Sequence, residues 1–248
     1  LRIESNLCDG IFCISNYLVG FMKSVGVPER KLFLVPATVD PSRFVNRNEN
    51  IVNQPYIGYF GGLTFERDNV DVLIKAFAVV CKKHSELKLI LGGFGSDTNI
   101  KQIHDLAQNL GVQDKIQLTG YLERDEVIQY IVNAKILVMV RSNNLEAKAS
   151  FPSKLPEFLA SSRPVIAVNV GEVPLYVADG STIFLVEPED INALAEKIEY
   201  VLANDDLAKA VGMKGKELAD TIFNYNYQAR RMLGFVHSLN DSLNQQNK

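Results

Sequence analysis

Three segments of this 248-residue chain carry side chains whose types and spacing suit a phosphorylated ligand. The first is Gly61-Gly62-Leu63-Thr64-Phe65-Glu66-Arg67. Its two glycines let backbone approach a ligand closely, and the forked cation of Arg67 adds to amides that already favour phosphate near a helix start. A diphosphate cradle and a tight turn with a solvated arginine both fit these residues. The second segment, Gly92-Gly93-Phe94-Gly95, has Thr98 where a dinucleotide fingerprint needs its third glycine, so it reads as turn chemistry. The third is Phe151-Pro152-Ser153-Lys154-Leu155-Pro156-Glu157-Phe158-Leu159-Ala160. Proline is tolerated in a first helical turn, which starts a helix near Ser153 and sets Glu157 about one turn in, on the edge of the free amides. Such an edge offers amides and a dipole to phosphates and a carboxylate to vicinal ribose hydroxyls. An acid that merely complements the helix dipole is the plainer alternative.

The elements that would position these groups alternate along the chain. Strand-like runs fall at 10–14, 31–35, 56–60, 87–91, 115–118, 136–140, 164–168 and 182–186. Helical patterns lie between and after them: 15–25 with Ser15 as N-cap, 69–83, 100–110, 125–133, 153–161, 190–203, 205–219 and 222–245. Strands alternating with helices imply a doubly wound, Rossmann-like parallel sheet, which binds ligands at the carboxyl ends of its strands. Residues 37–55 read as a linker with few apolar anchors, 141–150 as a long polar loop, and the last eight residues as a frayed polar tail.

Composition narrows the function classes. Hydrophobic residues are 47% and charged residues 22%, the balance of a folded, water-soluble protein. A net charge of −3 offers no general attraction for a polyanion, so nucleic acid is not an expected partner. Three cysteines in no metal-ligand spacing indicate a reducing compartment, and no apolar run reaches bilayer length. The chain starts at Leu1 with neither an initiator nor a signal sequence, which reads as the interior of a longer protein. His84, His104 and His237 lie apart with no His or Cys partner and read as surface or helix-end residues. Arg230 and Arg231 beside Tyr225, Tyr227 and Phe235 fit an amphipathic helix docking on a neighbouring domain. Asp-x-Asp, Walker, GxSxG and HExxH patterns are missing, so P-loop phosphoryl transfer and serine or zinc hydrolysis have no support.

Taken in order, the motifs resemble a glycosyltransferase of the GT-B fold, family 4 type. The matching pieces are Ser15-Asn16-Tyr17, Lys31 to Pro36 with Val39-Asp40 and Phe44, Gly61 to Arg67, Gly92 to Gly95, and Leu118 to Leu122. Phe151 to Ala160, Ser162 to Ile166, Gly171-Glu172-Val173, Gly180 and Glu187-Pro188-Glu189 complete the set. The resemblance implies that residues 1–40 end an amino-terminal acceptor domain, 41–55 link it, 56–221 bind the nucleotide-sugar donor, and 222–248 form a crossing helix and tail. It implies Glu157 on the donor ribose, Gly61, Gly62, Arg67, Ser153, Lys154 and Leu155 at the diphosphate, and Tyr121 and Leu122 at the base.

Two positions depart from the family pattern. The first glutamate of its E-x7-E motif falls at Ala149, and the arginine of its G-R-L stretch falls at Gly62. Lys154 is a candidate for the missing cation; Glu146 sits three positions too early to be the missing acid, although a flexible loop would let it enter the site.

The activity expected is retaining transfer of a sugar from a nucleoside-diphosphate sugar to a glycan, polysaccharide or lipid-linked acceptor, without metal or other cofactor. The alternative is a non-catalytic, transferase-like protein that binds nucleotide-sugar or a partner. This stretch alone is expected to be inactive, and the protein cytoplasmic, with any peripheral membrane association carried by the missing domain. The site reading requires Glu157 and Arg67 to face one shared mouth.

Overall fold

A computed structural model describes residues 7–45 and 52–246, with side chains to residue 241. The first strand, β1 (Ile11–Cys13), pairs in parallel with β2 (Leu32–Leu34), and α1 (Asn16–Ser24) connects them. After a short 3-10 turn at Pro41–Phe44, the chain builds a six-stranded parallel sheet in the order β5-β4-β3-β6-β7-β8. Its strands are β3 (Tyr56–Gly62), β4 (Lys88–Phe94), β5 (Ile116–Gly120), β6 (Ile136–Met139), β7 (Val165–Val168) and β8 (Phe184–Val186). Between them run α2 (Val70–Val80), α3 (Asp97–Asn109), α4 (Arg124–Asn133), α5 (Leu145–Ala149), α6 (Lys154–Ala160) and α7 (Val173–Tyr176). The chain ends in α8 (Ile191–Ala203), α9 (Asp205–Asp220) and α10 (Tyr225–Gln246).

Period-two side-chain alternation explains why these strands read as unbroken apolar runs, because both faces of the sheet are covered. Ile57, Tyr59, Leu89, Leu91, Ile136 and Val138 point into one core with α2, α3 and α8. Tyr56, Phe60, Ile90, Leu137 and Met139 point into the other, with α4 and α6. Strand succession reverses direction between β3 and β6, which are neighbours in the sheet, so a crevice opens at their carboxyl ends.

The fold corrects several expectations. Gly61 and Gly62 are not a loop but the end of β3, paired with Gly93 and Phe94 at the end of β4. Gly93 has φ +143, and a Cβ there would run into the Gly61 carbonyl, so these glycines bring two strand ends together rather than make a turn. Residues 141–150 hold the helix α5, started by Asn144, whose side chain accepts from the Ala147 amide at 2.8 Å. The stretch read as a linker is anchored at Val39 and Phe44, both buried, and the Val39 amide donates to the Phe223 carbonyl at 2.9 Å. Residues 46–51 of that stretch lie outside the described residues. The last helix, α10, stays helical to Gln246 through most of the tail read as frayed.

The last helix returns to the first strands. Phe235 of α10 stacks on Phe33 at 4.9 Å between ring centroids, and the Arg231 guanidinium sits 4.8 Å over the Phe33 ring. A second latch joins α1 to the larger sheet. Ser15, fully buried, donates from Oγ to the Ala149 carbonyl at 2.5 Å while accepting from the Leu18 amide. The Glu172 carboxylate, on a residue 3% exposed, accepts from the Asn16 amide at 2.8 Å and from Asn16 Nδ2 at 2.9 Å. An anion at the first amide of α1 is the favourable sign for the helix dipole.

Candidate functional site

The crevice between β3 and β6 holds a cavity of about 330 Å³. From β3 come Gly61 and Gly62, followed by Arg67 and Asp68; from the chain just after β6 comes Arg141; from the α5 and α6 segments come Glu146, Ser150, Ser153 and Lys154. Beneath it, the buried Tyr59 hydroxyl donates to the Gly62 carbonyl at 2.7 Å. Burial, with the Asp68 carboxylate adding to it against Arg67 and Arg141, raises the Tyr59 pKa, so the phenol stays a neutral donor.

Position 62 explains how the cavity is charged. A Cβ at Gly62 would collide with the Asp68 carboxylate and the Arg67 guanidinium, so Arg67 and Asp68 fill the space a side chain at 62 would take. Arg67 pairs with Asp68 at 3.2 Å, and that hydrogen bond holds its pKa above the ordinary guanidinium value. Asp68 is held in turn by Thr64 Oγ1 at 2.8 Å. The Arg67 carbonyl accepts from both the amide and the hydroxyl of Ser142, each at 3.0 Å, which pins the loop after β3 to the chain leaving β6.

Arg141 is a site residue that the loop-by-loop reading missed. Its side chain is 18% exposed, Nη2 donates to Ser150 Oγ at 2.8 Å, and the Glu146 carboxylate lies 3.9 Å away. The signal was present in the sequence as a cation directly after the apolar run Ile136 to Val140, where a parallel strand ends at a ligand crevice. Glu146 does reach this cavity, from a helix rather than from a loose loop. Position 149 instead gives its carbonyl to Ser15.

A second cavity, of about 520 Å³, adjoins the first. Its lining includes the apolar Leu122, Val127 and Ile128 with Tyr121, the charged Asp40, Arg43 and Arg124, and Lys154 and Glu157. Lys154 borders both cavities, and its Nζ lies 2.8 Å from Glu157 Oε2. Glu157 and Arg67 therefore line different cavities that have Lys154 in common, so the requirement that both face one mouth is not met as stated, and a donor reading holds only for a ligand that spans the two cavities past Lys154. The reason is local, since a three-residue spacing on α6 puts Lys154 and Glu157 side by side and turns the acid toward the α4 side.

Of the residues expected at a diphosphate, Gly61, Gly62, Arg67, Ser153 and Lys154 line the first cavity together. Leu155 does not join them; its side chain is fully buried and its amide already donates to the Pro152 carbonyl at 3.0 Å. Tyr121 and Leu122 line the second cavity with Glu157.

With this geometry in view, comparison with known proteins gives the class. A family model described as glycosyl transferases group 1 matches residues 42–218, and the chain belongs to that family. Among curated relatives, a GDP-mannose-dependent alpha-(1-6)-phosphatidylinositol monomannoside mannosyltransferase of Mycobacterium tuberculosis is 23% identical, over 95% of this chain and 63% of its own length. A D-inositol 3-phosphate glycosyltransferase of Corynebacterium aurimucosum is 32% identical, over 57% of this chain and 34% of its own. The chain thus spans only part of the length of the relatives it matches. A glycosyltransferase from Rickettsia africae superposes with a TM-score of 0.81 at 22% identity, covering 93% of this chain and 63% of that one. Anabaena HepE, in complex with UDP and glucose, also gives 0.81, at 16% identity over 96% and 66% of the two chains. The fold is that of the GT-B glycosyltransferases.

Proposed function

We propose that the protein moves a sugar, with retention of configuration, from a nucleoside-diphosphate sugar to a glycan, polysaccharide or lipid-linked acceptor. One observation carries this: two cavities share Lys154, one lined by the Gly61-Gly62 strand end with Arg67, Arg141 and Lys154 beside Asp68 and Glu146, the other of mixed character, with Tyr121, Leu122, Val127 and Ile128 alongside Asp40, Arg43, Arg124 and Glu157. Diphosphate in the first and nucleoside in the second is the occupancy that matches both chemistries, with Glu157 accepting from ribose hydroxyls and the base against Tyr121 and Leu122. The bond from the anomeric carbon to the diphosphate oxygen breaks while one to an acceptor hydroxyl oxygen forms on the same face, and the hydroxyl proton passes to the departing diphosphate. Negative charge growing on the departing diphosphate meets Arg67 and Lys154, which are already fixed in place, and no metal is assigned to this step.

The names of related proteins support this reading, since one depends on GDP-mannose and a structural neighbour holds UDP and glucose. Residues 56–221 would then be the donor-binding unit and the two-stranded sheet the end of the acceptor side. Free thiols at Cys8, Cys13 and Cys81 fit a cytoplasmic placement. Among the described residues no helix is long and apolar enough to cross a membrane, and attachment at its surface would fall to the acceptor side. Gly62 and Ala149 favour a second reading, binding of nucleotide-sugar without transfer.

Calorimetry with UDP and GDP tests the donor site. Glu157→Ala is expected to weaken the better ligand by roughly 10- to 100-fold, the loss of one charge-assisted contact. Unchanged affinity would remove the ribose role, and no binding of either nucleotide by the wild type would remove the donor site. Hydrolysis or transfer assays of a chain extended to the relatives' full length then separate enzyme from binding protein.

A further inference from the structure

We propose that Arg141, at the carboxyl end of β6, is a second diphosphate-contacting cation, and that it supplies the charge position 62 lacks. The inference rests on the donor-site reading above and adds a residue to it. Arg141 sits where strand succession reverses, across the crevice from Gly61 and Gly62. Its side chain is mostly withdrawn from water, yet among the described residues only Ser150 Oγ accepts a hydrogen bond from it. A guanidinium has five N–H donors in a planar fork, so most of them are left to face the cavity. Glu146, the carboxylate nearest to it, is 58% exposed and 3.9 Å away, too distant for a hydrogen bond and screened by water.

Arg67 differs in just this respect, because Asp68 already holds its Nε and Nη2. The less committed cation of the crevice is Arg141, and Ser150 fixes its orientation before any ligand arrives. A planar fork of that kind fits two oxygens of a diphosphate. With glycine at 62, the Arg67 and Asp68 side chains take the space beside that position.

The test compares wild type, Arg141→Met and Arg141→Lys by calorimetry with UDP and GDP, and by competition with the corresponding phosphate-free nucleosides. The readout is the ratio of diphosphate to nucleoside affinity, with a thermal melt to show that each variant is folded. Arg141→Met is expected to lower that ratio by roughly 10- to 100-fold, and Arg141→Lys by less. A purely structural Arg141 would weaken both ligands alike, and an unchanged ratio overturns the proposal while leaving the donor site standing. Failure of the wild type to bind either nucleotide overturns both.

Discussion

Removing the Glu172 carboxylate should show how firmly the first strands are tied to the ligand-binding sheet. Glu172 is almost fully buried and accepts two hydrogen bonds from Asn16, one of them the first amide of α1. Charge-assisted bonds contribute about 1.5–3 kcal/mol each. Asn16 is exposed and regains water when they are lost, so Glu172→Ala should cost about 2–4 kcal/mol in all. Glu172→Gln keeps one acceptor but turns an NH2 toward Asn16 Nδ2, two donors facing each other, and should cost roughly half as much. For a chain of this length, 3 kcal/mol corresponds to a Tm lower by roughly 6–12 °C. Urea and thermal unfolding followed by circular dichroism give these values, and a double-mutant cycle with Asn16→Ala isolates the pair. Its coupling should be at least ~1 kcal/mol. A Glu172→Ala loss under ~1 kcal/mol, or additive single and double variants, would refute the latch. Because Ser15 ties the same helix to Ala149 at the end of α5, nucleotide affinity should fall along with stability.

Gly93→Ala should be poorly tolerated, costing at least ~2 kcal/mol, because its φ of +143 excludes a Cβ and the Gly61 carbonyl occupies that space; soluble yield and Tm equal to wild type would contradict the close approach of β3 and β4. Asp205, hydrogen-bonded by Lys135 and Lys209, has its pKa lowered from 3.8 to about 2. A depressed carboxylate stabilises the fold fully above its unfolded pKa and loses that contribution as pH falls through its folded one. Asp205→Asn should therefore flatten the stability profile between pH 4 and 2, read from urea midpoints across that window, and an identical acid limb in both proteins would refute the assignment.

Much of the architecture is legible in the sequence because burial on both faces of a parallel sheet leaves a plain mark. Ile136 to Val140 reads as a strand with no partner known, and the apolar stripe of Val72, Leu73, Ala76, Phe77 and Val80 reads as a helix. Ser15 and Asn16 signal the start of α1, and Glu157 is placed in the first turn of α6 by the prolines before and within it. These are local facts, set by periodicity and by which residues tolerate a helix end.

What the tertiary structure alone decided is which end of a segment faces which neighbour. A pair of glycines marks a loop and a strand end equally well, and only the register of β3 on β4 shows that Gly61 and Gly62 belong to the ladder. The short helix α5 is hidden by its polar composition, since five residues carry too little periodicity to reveal it and its cap at Asn144 depends on Ser142 being held by Arg67. Charge placement is the clearest case. Arg67 occupying the space above Gly62, and Arg141 lining the same cavity from the chain after another strand, bring together residues separated by more than seventy positions, and no one-dimensional spacing rule encodes that distance. Sequence fixes what each element is through local propensity and burial, whereas the cavity's electrostatics arise from packing among elements remote in the chain.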